Sequence, residues 1–281
     1  MPRNLLLALA ALLAACSPVG LVNELVPTDT YRLERDLPYG AHERQRLDVY
    51  APTAAAGPAP VVVFLYGGAW RTGSRGDYLF VGEALASRGF VAVVADYRLY
   101  PEVRFPDFLA DSALAVRWAR DNAARFGGDP ERLFLMGHSA GAYNAAMLAF
   151  DGRYLGASGL DRAAVKGFIG LAGPYDFLPL TSRTLREVFG YPDTSPATQP
   201  ITFVAPGGPP VLLIVAARDG VVDPGNSARL ARRIRVAGGS VREVSYEQLD
   251  HRTLVGALAA PLRGLAPVLD EVAGFVARPR E

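Results

Sequence analysis

From residue 31 onward the chain alternates short, continuous apolar runs with longer stretches in which apolar residues recur at helical spacing. Val61-Val62-Val63-Phe64-Leu65, Phe90 to Ala95, Arg132 to Met136, Lys166 to Ala172 and Val211 to Val215 are such runs. They lack polar alternation, which is the pattern of strands covered on both faces of a parallel sheet. Tyr78 to Arg88, Asp107 to Arg125, Ala140 to Phe150 and Asn226 to Val236 read as helices. Gly89 and Gly238-Gly239 close the first and last of these, and Leu109, Ala113 and Val116 share one face of the second. Leu47 to Tyr50 reads as an early strand ending at Ala51-Pro52, Val241 to Tyr246 as a late strand, and Pro261 to Ala277 as the final helix. Regular alternation of this kind predicts an α/β domain with a doubly wound, mostly parallel sheet over residues 31–281. Thr53 to Pro60 is a loop of small residues and prolines. Residues 173–210 are too long and proline-rich for a plain connection, and are expected to form a small cap over one edge of the sheet.

Composition narrows the partners. Half of the 281 residues are hydrophobic, enough for one large core, and the formal charge is only +1. Nucleic acid and anionic surfaces are therefore not expected partners of the domain. The first residues do not belong to the fold. Met1-Pro2-Arg3-Asn4 is a short basic start, and Leu5 to Ala15 is an apolar run too short to span a bilayer but suited to a signal peptide over residues 1–15. The run ends in Leu13-Ala14-Ala15-Cys16, and Cys16 is the only cysteine, so no disulfide within the chain can form. This ending resembles the lipobox of bacterial lipoproteins. The resemblance implies a lipidated Cys16, a tether over residues 16–30, and a place in the bacterial cell envelope on the periplasmic side. Ser17 in place of Asp implies outer-membrane sorting. The other reading is an ordinary cleaved signal with an incidental cysteine.

Gly137-His138-Ser139-Ala140-Gly141 lies between the strand at Arg132–Met136 and the helix at Ala140–Phe150. A serine on so sharp a strand-to-helix turn occupies strained backbone, and small residues two positions to either side let strand and helix approach. Its hydroxyl is lifted clear of the sheet edge, over a helix N-terminus that favours developing negative charge. Ser139 is the candidate nucleophile, and a serine needs an adjacent base.

Three histidines are available. His138 is next to Ser139 on a turn where neighbouring side chains diverge, and is expected to pack or hydrogen-bond locally. His42 lies in the polar Gly40-Ala41-His42-Glu43-Arg44, read as a solvated hairpin. His251 follows a late strand, on the same carboxyl edge as Ser139, and is the candidate base. A carboxylate must fix its tautomer. Asp219, after Val211–Val215, leaves the same edge, with Asp223 as the alternative; Asp250 is too close in sequence to reach the His251 ring. Donors for an oxyanion are the amide of Ala140 and, in the glycine loop Tyr66-Gly67-Gly68-Ala69-Trp70, those of Gly68 and Ala69.

With these residues placed, the chain resembles the α/β-hydrolase superfamily in its carboxylesterase, hormone-sensitive-lipase and kynurenine-formamidase-like branches. The resemblance is carried by the glycine loop with Trp70, Asp96-Tyr97-Arg98-Leu99, Phe126-Gly127-Gly128-Asp129-Pro130, the Ser139 turn, Gly173-Pro174-Tyr175-Asp176, Asp219 and His251, in that order. It implies an α/β-hydrolase fold, a serine carboxylesterase acting on small to medium acyl esters, and no metal or organic cofactor. An amide or formamide hydrolase shares the same machinery, and a non-catalytic envelope lipoprotein is the alternative outside enzymes. Relatives carry His-Gly-Gly at the oxyanion loop, where the histidine braces the loop; here that position is Tyr66, whose hydroxyl is the candidate substitute. Tyr175, Phe177, Phe189, Tyr191 and Phe203 are candidate pocket walls in the cap.

Overall fold

A computed structural model describes residues 18–54 and 57–278. Cys16 and the apolar run before it lie outside the described residues. In chain order the elements are α1 (Pro18–Glu24), β1 (Tyr31–Pro38), β2 (Arg46–Pro52), β3 (Ala59–Leu65), α2 (Leu79–Ala86) and β4 (Val91–Ala95). They continue with α3 (Asp107–Asn122), β5 (Gly128–His138), α4 (Ala140–Phe150), α5 (Gly152–Ala157), β6 (Val165–Leu171) and α6 (Arg183–Phe189). The last are β7 (Val211–Ala216), α7 (Gly225–Val236), β8 (Val241–Tyr246), α8 (His251–Gly256) and α9 (Val268–Val276).

Among the described residues the strands form one eight-stranded sheet in the order β1-β2-β4-β3-β5-β6-β7-β8. β1 and β2 pair antiparallel, β2 also runs antiparallel to β4, and every pairing from β4–β3 to β7–β8 is parallel. β3 and β4 are buried along their whole length, as continuous apolar runs require when helices cover both faces. β1 differs: its residues alternate between exposed and half-buried, because it is an edge strand with one neighbour. The parallel strands all present their carboxyl ends to one edge, where the loops after β3, β5, β7 and β8 gather.

Three features depart from the sequence reading. Residues 18–26, assigned to a tether, are already docked: Asn23 Nδ2 donates to the Gly76 carbonyl at 2.9 Å, Asn23 Oδ1 accepts from the Phe80 amide at 3.2 Å, and Val26 is buried. The final helix is not continuous. A 3-10 segment, Ala260–Leu265, precedes α9, because Pro267 has no amide to donate into an unbroken helix. The Gly40–Arg44 stretch is not simply solvated, since Arg44 reaches inward to the Tyr66 hydroxyl at 2.8 Å.

Candidate active site

Ser139 occupies the junction between β5 and α4 with φ 54° and ψ −122°, a conformation a non-glycine residue holds only under constraint. The constraint is visible in its glycine neighbours. A Cβ on Gly137 would lie 2.3 Å from the Gly141 carbonyl oxygen, and one on Gly141 would lie 1.9 Å from that of Leu65. Strand and helix are thus in backbone contact across the turn. The Ser139 amide donates to the Leu171 carbonyl at 2.9 Å, and its carbonyl accepts from the Tyr143 amide at 3.1 Å, so the turn is pinned on both sides. Ala140 opens α4, where amides have no carbonyl one turn earlier within the helix.

His251 Nε2 is 2.9 Å from Ser139 Oγ, and His251 Nδ1 is 2.7 Å from Asp219 Oδ2. Asp219 is held by its own turn, in which Oδ1 accepts from the amides of Val221 and Val222, each at 2.8 Å. Burial alone would raise its pKa, but the His251 hydrogen bond and those two amides together hold the carboxyl below the ordinary range. The structure also separates the alternatives. Asp223 accepts from the Gly225 amide and pairs with Arg229, while Asp250 caps α8 through the amides of Arg252 and Thr253. The loops carrying Asp219 and His251 are tied together, the Arg218 amide donating to the Leu249 carbonyl at 3.1 Å.

The glycine loop abuts the serine. A Cβ on Gly67 would stand 3.0 Å from Ser139 Cβ, a tight contact that glycine avoids. Beyond it the chain passes through Gly68 at φ 129°, Ala69 at φ 52° and Trp70 at φ 58°, and closes with the Arg71 and Thr72 amides on the Gly68 carbonyl. Below the loop, the Tyr66 ring is fully buried between those of Tyr78 and Tyr97. Its hydroxyl donates to Asp96 Oδ1 at 2.9 Å and accepts from Arg44. Arg44 also donates to the carbonyls of Gly73 and Tyr97, and Asp96 pairs with Arg75, which in turn meets Asp36 and Asp48. Tyr66 therefore stands in a charged, hydrogen-bonded brace under the loop. Arg44, Arg75 and Asp48 were not singled out from sequence; their partners lie 21 or more residues away, apart from Asp36 beside Asp48, and no local pattern marks them.

Of the remaining histidines, His42 pairs with Glu102 at 2.5 Å, away from Ser139. His138 does not bond locally. Its Nε2 is 3.0 Å from the carbonyl oxygen of His251. Residues 173–210 do lie against this edge: Phe189 packs edge-on to Trp70 with centroids 4.8 Å apart, and Tyr143 donates to the Thr198 carbonyl. Phe189 and half-buried Phe177 meet near Tyr143, but Tyr175 is buried beneath, against Phe168 of β6. Tyr191 is exposed under Arg186, and Phe203 lies under Arg153, so neither joins that cluster. A cavity of about 350 Å³ lined by Arg32, Pro52, Pro58 and Phe126 is at the opposite, amino edge of the sheet.

Comparison with known proteins agrees with this architecture. The BD-FAE family model matches residues 47–234. A probable isoprenylcysteine alpha-carbonyl methylesterase, ICMEL1 of Arabidopsis thaliana, is 29% identical over 255 residues, 83% of this chain and 53% of that protein. Esterase LipC of Mycobacterium tuberculosis is 32% identical over 242 residues, 78% of this chain and 59% of that protein. The chain thus spans little more than half the length of these two curated relatives. A truncated carbohydrate esterase from gut microbiota superposes with a TM-score of 0.77 at 21% identity, covering 89% of this chain and 97% of that one. The shared fold is that of the α/β-hydrolases.

Proposed function

The chain belongs to the BD-FAE family, and on that premise we propose that it is a serine carboxylesterase hydrolysing small to medium acyl esters. The observation that carries this reading is the hydrogen-bonded chain from Ser139 Oγ through His251 to Asp219, at 2.9 and 2.7 Å. His251 Nε2 takes the Ser139 proton as Oγ attacks the ester carbonyl carbon, and the carbonyl π pair moves onto oxygen. The amides of Gly68, Ala69 and Ala140 receive that oxyanion. Asp219 holds Nδ1–H and stabilises the imidazolium. The C–O bond to the alcohol then breaks, the alcohol leaves with the His251 proton, and an acyl-Ser139 ester remains. Water, deprotonated by His251, attacks the ester; the acid departs and Oγ regains its proton.

Ester specificity is supported by the relatives, a probable isoprenylcysteine alpha-carbonyl methylesterase and an esterase. The test is labelling by a fluorophosphonate probe together with turnover of p-nitrophenyl acetate and butyrate against N-formylkynurenine. Wild type is expected to label and to prefer the esters, and Ser139→Ala to do neither. Equal labelling of S139A, no labelling of wild type, or preference for the formamide overturns the reading.

We further propose that Cys16 carries a diacylglyceryl anchor, placing the domain on the periplasmic side of the envelope, at the outer membrane. The support is the Leu13-Ala14-Ala15-Cys16 ending and the apolar run before it. Mass spectrometry of the N-terminus from native membranes is expected to find lipid on Cys16, and a free terminus elsewhere refutes it.

A further inference from the structure

The residue before the nucleophile has a place in the site that the hydrolytic mechanism does not use. His138 ends β5, is 5% exposed, and directs Nε2 to the main-chain oxygen of His251 at 3.0 Å. A carbonyl only accepts, so Nε2 carries the proton and Nδ1 is bare. Nδ1 is buried without a hydrogen-bond partner, and a Cβ built on Gly67 would come within 3.0 Å of it. The two imidazoles lie 4.8 Å apart, tilted by 43°. His138 thus touches the base by ring and by hydrogen bond, and lies against the glycine loop on its other side.

We propose that His138 is a positioning residue that fixes the backbone of the catalytic base relative to the nucleophile; the inference rests on the proposed roles of Ser139 and His251. The connection is a closed ring of short links. Ser139 is bonded covalently to His138, His138 Nε2–H holds the His251 carbonyl, and His251 Nε2 returns to Ser139 Oγ at 2.9 Å. Asp219 sets the rotation and tautomer of the His251 ring from the far side, through Nδ1. His138 sets where the backbone that carries the ring stands. The first turn of α8 begins at His251, so the same hydrogen bond fixes how that short helix approaches the sheet edge. Its other restraints are the packing of buried Leu254 and Val255, the Arg218–Leu249 hydrogen bond and the Asp219–His251 hydrogen bond, the last two of which tie it to the loop after β7 rather than to the Ser139 turn.

Variants that keep or remove the donor separate positioning from simple packing. His138→Gln retains an N–H at the reach of Nε2, and His138→Phe retains the ring without a donor. For each, kcat and KM with p-nitrophenyl butyrate and the rate of fluorophosphonate inactivation are measured, alongside the unfolding midpoint. H138F is expected to lower kcat and the inactivation rate together by roughly 10–100-fold, the size of effect expected when a reacting group is displaced by about an ångström, with KM little changed. H138Q is expected to recover most of that loss. If H138F is insoluble, His138→Met, an adaptable apolar side chain, carries the same expectation. Turnover and labelling by H138F, or by its Met replacement, equal to wild type overturn the proposal. So does an H138Q enzyme as slow as the donorless variant at matched stability. Failure of wild type to label at all instead removes the proposed function, and with it the premise.

Discussion

Mild acid is expected to destabilise this protein partly through His138. Burial, and after it the nearby His251, push the His138 pKa down to about 3, against the opposing pull of the hydrogen bond to the His251 carbonyl and the charge of Asp219. In the unfolded chain the same imidazole titrates near the ordinary value of about 6.5. Between these values the unfolded state binds a proton that the folded state refuses, so stability rises with pH across that window and falls on acidification. Linkage then gives a loss of roughly 2 kcal/mol between about pH 7.5 and about pH 5 from this residue alone, or a fall in melting temperature of about 5 °C. His138→Gln has no group to titrate at that position. Asp219 contributes in the same direction, but its depressed pKa confines its loss to the region below the ordinary carboxylate range, and it is present in both proteins. The assay is urea unfolding of wild type and H138Q at the two pH values, read by circular dichroism. Wild type is expected to lose about 2 kcal/mol more than H138Q on acidification. Equal losses in the two proteins would refute the claim that His138 is held neutral by burial.

Other substitutions test the remaining parts. Asp219→Asn leaves the site's shape but lets His251 adopt the wrong tautomer, and is expected to cut kcat by about 10³–10⁴-fold in steady-state assays while KM changes little. Gly141→Ala forces a methyl group into the Leu65 carbonyl, 1.9 Å away, and is expected either to abolish soluble expression or to cost more than about 3 kcal/mol in urea unfolding. Tyr66→Phe removes a hydroxyl shared by Arg44 and Asp96 without opening a cavity. It is expected to cost about 1–3 kcal/mol of stability, and full retention of wild-type stability would show that the brace is carried by Arg44 and Asp96 alone.

Which parts of this structure are legible in the sequence follows from where each constraint originates. The central strands declare themselves because burial on both faces demands unbroken apolar runs such as Val61–Leu65. The Ser139 turn declares itself because backbone contact demands glycine at 137 and 141. β1 carries no such mark: as an antiparallel edge strand it tolerates Arg32, Glu34, Arg35 and Asp36. The choice of Asp219 over Asp223 was open in the sequence, since both leave β7 on the correct edge. An Asx turn decides it by aiming the Asp219 carboxylate at His251, while Asp223 accepts from the Gly225 amide and pairs with Arg229. The sequence marks His138 only as a neighbour of Ser139, because its partner lies 113 positions away. Arg44 was hidden for the same reason, in a stretch whose composition suggests only solvent.

The glycine loop is where these constraints meet. Ala69 and Trp70 both adopt positive φ without being glycine, which costs of order 1–3 kcal/mol for each. Trp70 supplies compensation locally: its indole N–H donates to Asn144 at 2.9 Å, and its ring contacts those of Phe108, Tyr143 and Phe189, pairs worth about 0.5–1.5 kcal/mol each beyond burial. Tyr66, Arg44 and Asp96 hold the other end of the loop. The strained segment is thus clamped by an aromatic cluster on one side and a charged brace on the other, with the proposed oxyanion donors between. Phe189, in the 173–210 segment, belongs to that aromatic clamp. Replacing it by Ala therefore removes support from the strained loop, and turnover of p-nitrophenyl butyrate is expected to fall; unchanged turnover would show that Trp70 is held without it.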